Sequence, residues 1–307
     1  MKLGKRQNEK LLLILLCLPI LFSCGAEKKQ DNDLTRENLK GKIKEMTIYV
    51  FNVRESFGEL EKGNLMWKNK CKYDEDGNKT EERYYKDGKL IWKEKYKDGN
   101  KTETNYYNKD GELKEKQKNK YDKVGNKTET NYYNKDGELT WKEKYKYNED
   151  GNITEMSEYY EDGELGGKER YKYEDDGNIE MSYSDGNGKL LWKYKRKYDK
   201  DGNITESSYY NKDGELGSNY KRKYDKDSNI TEDSYYDRLD GKLLWKYKRK
   251  YDKDGNITEE SKYDKDGELE EVEKWKHKYK YDVFNNNWIL KTSSDNTITE
   301  REIEYYK

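Results

Sequence analysis

The sequence has 307 residues, of which 42% are charged and 14% are aromatic, and its formal net charge is −1. Lysine and glutamate alternate along it, so the net basic surface that binds phosphate groups is absent and nucleic acid is not an expected partner. The charged fraction is well above the ordinary value of about 25%, which by itself favours disorder. However, the 32 tyrosines recur at fixed spacing, and the only proline is Pro19. These two features favour β-structure, since strands exclude proline.

The N-terminal segment has the pattern of an export signal. Its first ten residues carry four lysines or arginines, and an apolar run of residues 11–22 follows. That run is too short for a bilayer core of about 30 Å, which needs about 20 helical residues. Residues 21–25, Leu-Phe-Ser-Cys-Gly, resemble the lipobox of bacterial lipoproteins, which implies lipidation at Cys24. We therefore expect a lipid-anchored protein of the bacterial cell envelope, at the outer membrane. The alternative is a signal peptide that is cut nearby, with Cys24 an ordinary cysteine.

One phrase, Lys-Tyr-Asp-x-Asp-Gly-Asn-x-Thr-Glu, recurs along the chain with small changes. Its tyrosines are Tyr73, Tyr121, Tyr147, Tyr173, Tyr198, Tyr224 and Tyr251, and the last six are 26, 26, 25, 26 and 27 residues apart. A second phrase, Tyr-Tyr-Asn-Lys-Asp-Gly-Glu-Leu, follows at Tyr133 and Tyr210. Each repeat of about 26 residues therefore contains two turns and two strands, and such self-similarity is typical of a repeat architecture.

The turn residues predict how the strands pair. In Asp199-Lys200-Asp201-Gly202, Asp occupies the first position of a type I turn and Gly the following left-handed position. This predicts a β-hairpin with a type I turn and a G1 bulge, in which Asp199 faces Asn203. The predicted register on one face is Tyr198 with Ile204, Arg196 with Glu206, Tyr194 with Ser208, and Trp192 with Tyr210. The other face carries lysines and hydroxyls, as in an antiparallel sheet with one wet side.

The tryptophan spacing supports this register. Four tryptophans precede a turn glycine by ten residues, and they are Trp67, Trp141, Trp192 and Trp245. Trp92 lies only seven residues before Gly99, which predicts a shorter hairpin there. By the same alternation, Cys71 is expected on the aromatic face. Since Cys71 is the only other cysteine of the mature chain once Cys24 is lipidated, no intramolecular disulfide is expected.

The expected fold is all-β: an elongated antiparallel β-meander of repeated hairpins, curled so that the aromatic face is inward. Roughly 17 to 20 strands would exceed the limit of about 10 that open sheets usually reach, and each strand twists against the next. A flat single-layer sheet is the alternative. The expected divisions are a signal peptide at residues 1–23, a lipid-anchored polar tether at 24–41, N-terminal capping strands at 42–71, hairpin repeats at 72–282 and a C-terminal capping hairpin at 283–307.

The motif Tyr-Asp-x-x-Gly-Asn-x-Thr, iterated through residues 72–270, resembles the YD (Rhs-type) repeats of bacterial surface and secreted proteins. The Asp-Gly-Glu/Lys-Leu half-repeats are similar to variant MORN repeats. The YD resemblance implies a β-sheet that coils into a shell, and it implies carbohydrate binding by analogy. The chain is short and shows no toxin module after its repeats, so we do not expect it to enclose a toxin.

The motifs offer little support for catalysis. His277 is the only histidine, and by alternation it shares a face with Trp275, Tyr279 and Tyr281, so we expect a structural role. The turn acids have glycine at the fourth position rather than the sixth, which fails the EF-hand spacing. The carboxylates recur in every repeat, whereas a catalytic pair is singular. We therefore expect no enzyme, no catalytic residue, no metal and no cofactor.

The leading functional hypothesis is a non-enzymatic, membrane-anchored repeat lipoprotein that presents an interaction or adhesion surface. Its partner would be an envelope protein or a glycan, since stacked repeats create long surfaces. The alternative is a carbohydrate-binding lipoprotein that uses the Trp/Tyr stripe. Its candidate ligand-binding residues are Trp141, Trp192, Tyr194, Tyr210 and Trp245. A second interpretation of these rings is that they form the core of a sheet that is poor in aliphatic side chains.

Overall fold

A computed structural model describes residues 32–37, 39–56, 59–174, 177–237, 240–253, 255–282, 287–293 and 297–306. The predicted signal peptide and Cys24 lie outside these residues. The described part contains one short helix, α1 (Asp33–Arg36), which Asn32 caps by accepting a hydrogen bond from the Thr35 backbone N–H. No helix in the described part is long and apolar enough to cross a lipid bilayer.

Twenty-one strands form the rest of the described structure. They are β1 (Ile43–Ser56), β2 (Glu59–Tyr73), β3 (Lys79–Lys86), β4 (Lys89–Lys97), β5 (Asn100–Tyr107), β6 (Leu113–Tyr121), β7 (Lys127–Asn134), β8 (Leu139–Tyr147), β9 (Ile153–Tyr160), β10 (Leu165–Tyr173), β11 (Ile179–Asp185), β12 (Leu190–Tyr198), β13 (Ile204–Asn211), β14 (Leu216–Tyr224), β15 (Ile230–Tyr236), β16 (Leu243–Tyr251), β17 (Ile257–Tyr263), β18 (Leu269–Lys274), β19 (His277–Tyr281), β20 (Trp288–Ser293) and β21 (Thr297–Tyr305).

The strands form one antiparallel sheet in meander order. Each strand pairs with the next along the chain from β1 to β18, and again from β19 to β21. β21 also pairs with β1, which therefore lies between β2 and β21. The sheet must bend to bring its last strand beside its first, so the predicted curled meander is confirmed. No backbone ladder joins β18 to β19 within the described residues, so strand pairing does not close the sheet into a continuous ring.

The predicted turns are confirmed. The Asp199 N–H donates to the Asn203 carbonyl oxygen at 3.0 Å, and the Gly202 N–H donates to the Asp199 carbonyl oxygen at 3.1 Å. Gly202 has a φ of 83°, the left-handed conformation that glycine adopts most readily. The shorter hairpin predicted after Trp92 is also present. Its turn consists of Asp98 and Gly99, both with positive φ, as in a type I′ turn.

The register beyond the turn differs from the prediction because a β-bulge lies at Thr205. The observed pairs are Tyr198/Ile204, Lys197/Glu206, Arg196/Ser207, Lys195/Ser208, Tyr194/Tyr209, Lys193/Tyr210 and Trp192/Asn211. The prediction was right for Tyr198 and wrong by one residue for every later pair. A bulge adds one residue to one strand, and a shift of one residue moves each later side chain to the other face.

The two faces of the sheet differ in chemistry and exposure. The aromatic face carries Trp192, Tyr194, Arg196 and Tyr198 on β12, together with the residues at the same positions of the other strands; all four are half-buried. The lysine face carries the alternate residues, of which Lys197 is exposed and bonds the Glu206 carboxylate at 2.9 Å. Lower exposure of the aromatic face agrees with its expected place on the inside of the curl.

A small apolar core packs beside β1. Its buried residues are Leu34, Leu39, Ile43, Met46, Cys71 and Tyr73. Cys71 is 3% exposed and lies on the predicted face. Leu34 and Leu39 belong to the segment that was predicted to be a polar tether at residues 24–41. Its C-terminal part is instead packed onto the sheet, because these two leucines bury apolar surface there.

Strands β20 and β21 pair as a hairpin in the described C-terminal residues, and Asn287 joins this hairpin to the N-terminal segment. The Lys40 N–H donates to Asn287 Oδ1 at 2.9 Å, and Asn287 Nδ2 donates to the Lys40 carbonyl oxygen at 2.8 Å. Asn287 is 3% exposed, and its Nδ2 also lies 3.0 Å from the Tyr305 hydroxyl. One buried amide therefore links the two ends of the described chain.

Candidate binding surface

Eight aromatic side chains on β11 to β16 form what we call the aromatic row. They are Tyr183, Trp192, Tyr194, Tyr209, Tyr220, Tyr235, Trp245 and Tyr247. Trp192 stacks on Tyr183 with ring centroids 5.4 Å apart and an interplanar angle of 9°. Trp245 lies 5.6 Å from Tyr235. Rings at these separations attract each other through their edges and faces, which stabilises the row in the absence of a thick core.

Two glycines make room for rings of the row. A Cβ on Gly167 would lie 2.1 Å from the Tyr183 hydroxyl oxygen, and a Cβ on Gly217 would lie 2.4 Å from Cδ1 of Tyr209. The Tyr209 ring thus lies directly over the Gly217 backbone. At these positions the sequence has glycine in the strand because an aromatic ring from the neighbouring strand covers it.

The side chains of the row keep part of their surface exposed. All eight side chains are half-buried. They are therefore neither the buried core of a two-layer sheet nor fully exposed, and part of each ring faces solvent.

Four of the five predicted binding residues lie on this face. Trp192, Tyr194 and Trp245 belong to the row, whereas Trp141 lies apart on β8 and contacts Tyr160 at 5.3 Å. The fifth, Tyr210, lies on the lysine face, where the Lys195 ammonium is 5.9 Å from its ring centroid. The prediction that Tyr210 opposes Trp192 was wrong because of the bulge.

Tyr209 takes the place on the aromatic face that was predicted for Tyr210, and its ring lies 5.1 Å from that of Tyr194. Sequence reasoning missed Tyr209 because the type I turn with its G1 bulge was treated as the whole irregularity of the hairpin. The turn sequence does not mark Thr205 as an extra residue, so the turn rules alone could not place Tyr209 on this face.

A group of carboxylates lies on the same face of β8 to β10. Glu143 and Glu169 are 8% and 3% exposed. The Tyr145 hydroxyl donates to Glu143 at 2.5 Å, and the Tyr171 hydroxyl donates to Glu169 at 2.9 Å. Burial raises the pKa of Glu169 to about 7, and the charge of Glu158 adds to the increase. Glu169 is therefore partly protonated near neutral pH.

The aromatic face carries charges of both signs. Glu143 and Glu169 lie on β8 and β10, and three arginines, Arg196, Arg222 and Arg249, lie on β12, β14 and β16. Arg222 and Arg249 face the carboxylates of Asp233 and Glu260. No three His, Cys, Asp or Glu side chains converge as a metal-binding group anywhere in the described ranges. His277 lies on the aromatic face as expected, 6.4 Å from the Tyr279 ring, and its Nε2 is 2.8 Å from the Ile257 carbonyl oxygen.

The sequence matches no protein family and no curated protein. Among solved structures, a porin-like protein from Bacteroides uniformis is similar at 10% identity, with 86% of this chain and 99% of that chain covered and a TM-score of 0.36. A porin-like protein from Bacteroides vulgatus matches at 14% identity, with 86% and 98% covered and a TM-score of 0.24. The TcdB2-TccC3-TEV structure matches at 12% identity and a TM-score of 0.17; 82% of this chain is covered, and the match spans about a fifth (19%) of that chain.

Proposed function

We propose that this chain is a non-enzymatic, lipid-anchored repeat protein of the bacterial cell envelope that presents its aromatic face as an interaction surface. The observation that carries the proposal is the aromatic row on β11 to β16, whose eight side chains are half-buried and so keep part of their surface accessible. Clustered aromatic surface that a protein leaves uncovered generally marks a place of interaction. Its length along successive hairpins suits an extended partner, since repeats provide continuous surfaces.

A carbohydrate polymer is the partner class that we propose for the row. Trp192 and Tyr183 lie nearly parallel, and rings so arranged offer flat apolar surface beside polar hydroxyl groups. A sugar ring has the matching combination of an apolar face and polar edges. The YD-type repeat resemblance, which implies carbohydrate binding by analogy, supports the same class.

The carbohydrate proposal is tested by titrating the full chain, in detergent micelles, with a panel of soluble glycans while tryptophan fluorescence is recorded. We expect a saturable shift with at least one glycan. Trp192→Ala and Trp245→Ala should each lower the affinity for that glycan at least tenfold. The matched control is Trp92→Ala, since Trp92 stacks on Tyr84 outside the row. If no glycan shifts the spectrum while an envelope protein binds the same face, the carbohydrate proposal fails.

The anchor is tested separately in cells that express the full chain. Growth with a palmitate analogue should label the wild-type protein in the membrane fraction, because the proposed lipid is attached at Cys24. The Cys24→Ala variant should lose both the label and the membrane association. A Cys24→Ala protein that still carries the label would refute lipidation at this residue.

A further inference from the structure

Three arginines occupy the same position in successive repeats, and two of them are paired with a carboxylate on the next strand. Arg222 faces Asp233, with 3.3 Å between Nε and Oδ1. Arg249 faces Glu260, with 2.5 Å between Nε and Oε2. In these two repeats the neighbouring strand neutralises the half-buried guanidinium.

Arg196 lacks such a partner. It faces Ser207 on β13 and Ile179 on β11, and neither side chain carries a charge. Among the described side chains, no carboxylate lies within ion-pair distance of Arg196. The Glu169 carboxylate attracts the Arg196 guanidinium, but no ion pair joins the two among the described side chains. A half-buried guanidinium without a directly paired carboxylate gains more from an external anion than the paired Arg222 and Arg249 do.

The surroundings of Arg196 join it to the aromatic row. On β12 it follows Tyr194 and Trp192 on the same face, since side chains two residues apart point the same way. The Trp192 and Tyr194 rings are 5.3 Å apart. Residues two apart on a strand are roughly 7 Å apart, which is the distance from Tyr194 to Arg196 along β12. A sugar ring stacked on Trp192 and Tyr194 would therefore place one of its substituents near the Arg196 guanidinium.

We propose that Arg196 binds a carboxylate of the ligand, and that the ligand is an acidic polysaccharide whose uronic acid units stack on Trp192 and Tyr194. A planar guanidinium donates two parallel hydrogen bonds to a carboxylate, which gives both affinity and orientation. Carboxylate is the anion that the sister arginines bind within the chain. The inference rests on the proposed function, because it requires the aromatic row to be a carbohydrate-binding surface.

The test measures calorimetric binding of tetragalacturonate to the full chain in detergent micelles. The comparison ligand is its methyl ester, which keeps the sugar rings and removes the charge. We expect the ester to bind at least tenfold more weakly than the acid, and the affinity of the acid to fall as salt rises. Arg196→Gln should bind acid and ester equally weakly.

Ser207→Asp is the sharpest variant, because it supplies the carboxylate that Asp233 supplies in the next repeat. It should lower the affinity for tetragalacturonate at least tenfold and leave the protein at least as stable as the wild type. The matched control is Ser182→Asp, which adds the same charge opposite Lys193 on the lysine face and should leave the affinity unchanged. Conversely, Asp233→Ser should free Arg222 and raise the number of bound ligands from one to two.

Two outcomes separate this inference from the proposed function. Equal binding of acid and ester, or unchanged affinity in Ser207→Asp, overturns the Arg196 site and leaves the aromatic row as a binding surface. If neither acid nor ester binds while a neutral glycan of the panel does, the acidic-ligand proposal is again overturned and the row again stands. If no glycan binds at all, both proposals fail together.

Discussion

The Tyr224 hydroxyl donates a hydrogen bond to the Ile204 carbonyl oxygen at 2.8 Å. Four sister pairs make the same bond between the end of one strand and the start of its neighbour: Tyr121 with Lys101, Tyr147 with Lys127, Tyr173 with Ile153, and Tyr251 with Ile230. Tyr198 occupies the same position, but its buried hydroxyl donates to no acceptor among the described residues. The Arg196 guanidinium beside it is itself a donor.

The cause is the absence of one residue from β11. The sequence Gly-Asn-Ile-Thr-Glu at Ile204 corresponds to Gly-Asn-Ile-Glu at Ile179, so the bulge threonine is missing. The ladder between β10 and β11 accordingly has no register shift, and Ile179 pairs directly with Arg196 on β12. In the other repeats the bulge turns the carbonyl of the residue before it towards the tyrosine of the next strand. This also explains why one repeat is 25 residues long.

We predict different effects on the free energy of unfolding when tyrosine is replaced by phenylalanine at two equivalent repeat positions, 224 and 198. Tyr224→Phe should lower the free energy of unfolding by about 1 kcal/mol, because a buried hydrogen bond is lost and the Ile204 carbonyl is left without a partner. Tyr198→Phe should be neutral or stabilising, since it removes a buried hydroxyl that donates to no acceptor. Urea unfolding followed by circular dichroism would measure both. If the two variants lose equal free energy of unfolding, the Tyr198 hydroxyl makes a stabilising hydrogen bond and the prediction is wrong.

Restoring the bulge should repair the Tyr198 site. Insertion of threonine between Ile179 and Glu180 recreates the Ile-Thr-Glu phrase of the other repeats, and we expect it to raise the free energy of unfolding by about 1 kcal/mol. The gain should vanish when the insertion is combined with Tyr198→Phe, because the new bond needs the hydroxyl. Insertion of threonine between Ser182 and Tyr183 is the control, and it should destabilise the sheet by shifting its register.

The repeat phrases were enough to predict the strands and turns, because glycine and aspartate at fixed offsets dictate the local backbone. They were not enough to place Tyr209 and Tyr210, since one bulge at Thr205 exchanges their faces and no turn rule predicts it. The pairing of β21 with β1 also escaped prediction. Local sequence motifs predict which neighbouring strands form hairpins. Contacts between the two ends of the chain depend instead on how far the whole sheet curls.

Glu169 should make stability depend on pH. Burial raises its folded-state pKa to about 7 from the ordinary value of 4.5, so between these values the folded protein binds more protons than the unfolded protein. The free energy of unfolding therefore falls as the pH rises through this window, by about 2 to 3 kcal/mol. Glu169→Gln keeps an acceptor for the Tyr171 hydroxyl and removes the charge, so it should abolish this contribution and stabilise the protein at pH 8.

The measurement is urea unfolding at pH 5 and pH 8 for the wild type, Glu169→Gln and the control Glu164→Gln. Glu164 is exposed in the turn between β9 and β10, so its substitution should leave the pH dependence as it is in the wild type. If Glu169→Gln loses as much free energy of unfolding as the wild type between pH 5 and pH 8, the carboxyl group of Glu169 does not cause the pH dependence.

The Tyr209 ring should be able to pack over position 217 only when that residue is glycine. It is the bulge residue of β14, skipped between the Tyr209/Ser218 and Tyr210/Leu216 pairs, and a Cβ there would meet the Tyr209 ring at 2.4 Å. Gly217→Ala should therefore cost about 1 to 3 kcal/mol, since the ring must move. In a Tyr209→Ser background the same change should cost far less, and the difference measures the coupling of the two residues. Because Tyr209 belongs to the aromatic row, Gly217→Ala should also weaken the binding of any glycan to the row. If the effects of the two substitutions on stability are additive, the position of the Tyr209 ring does not depend on Gly217.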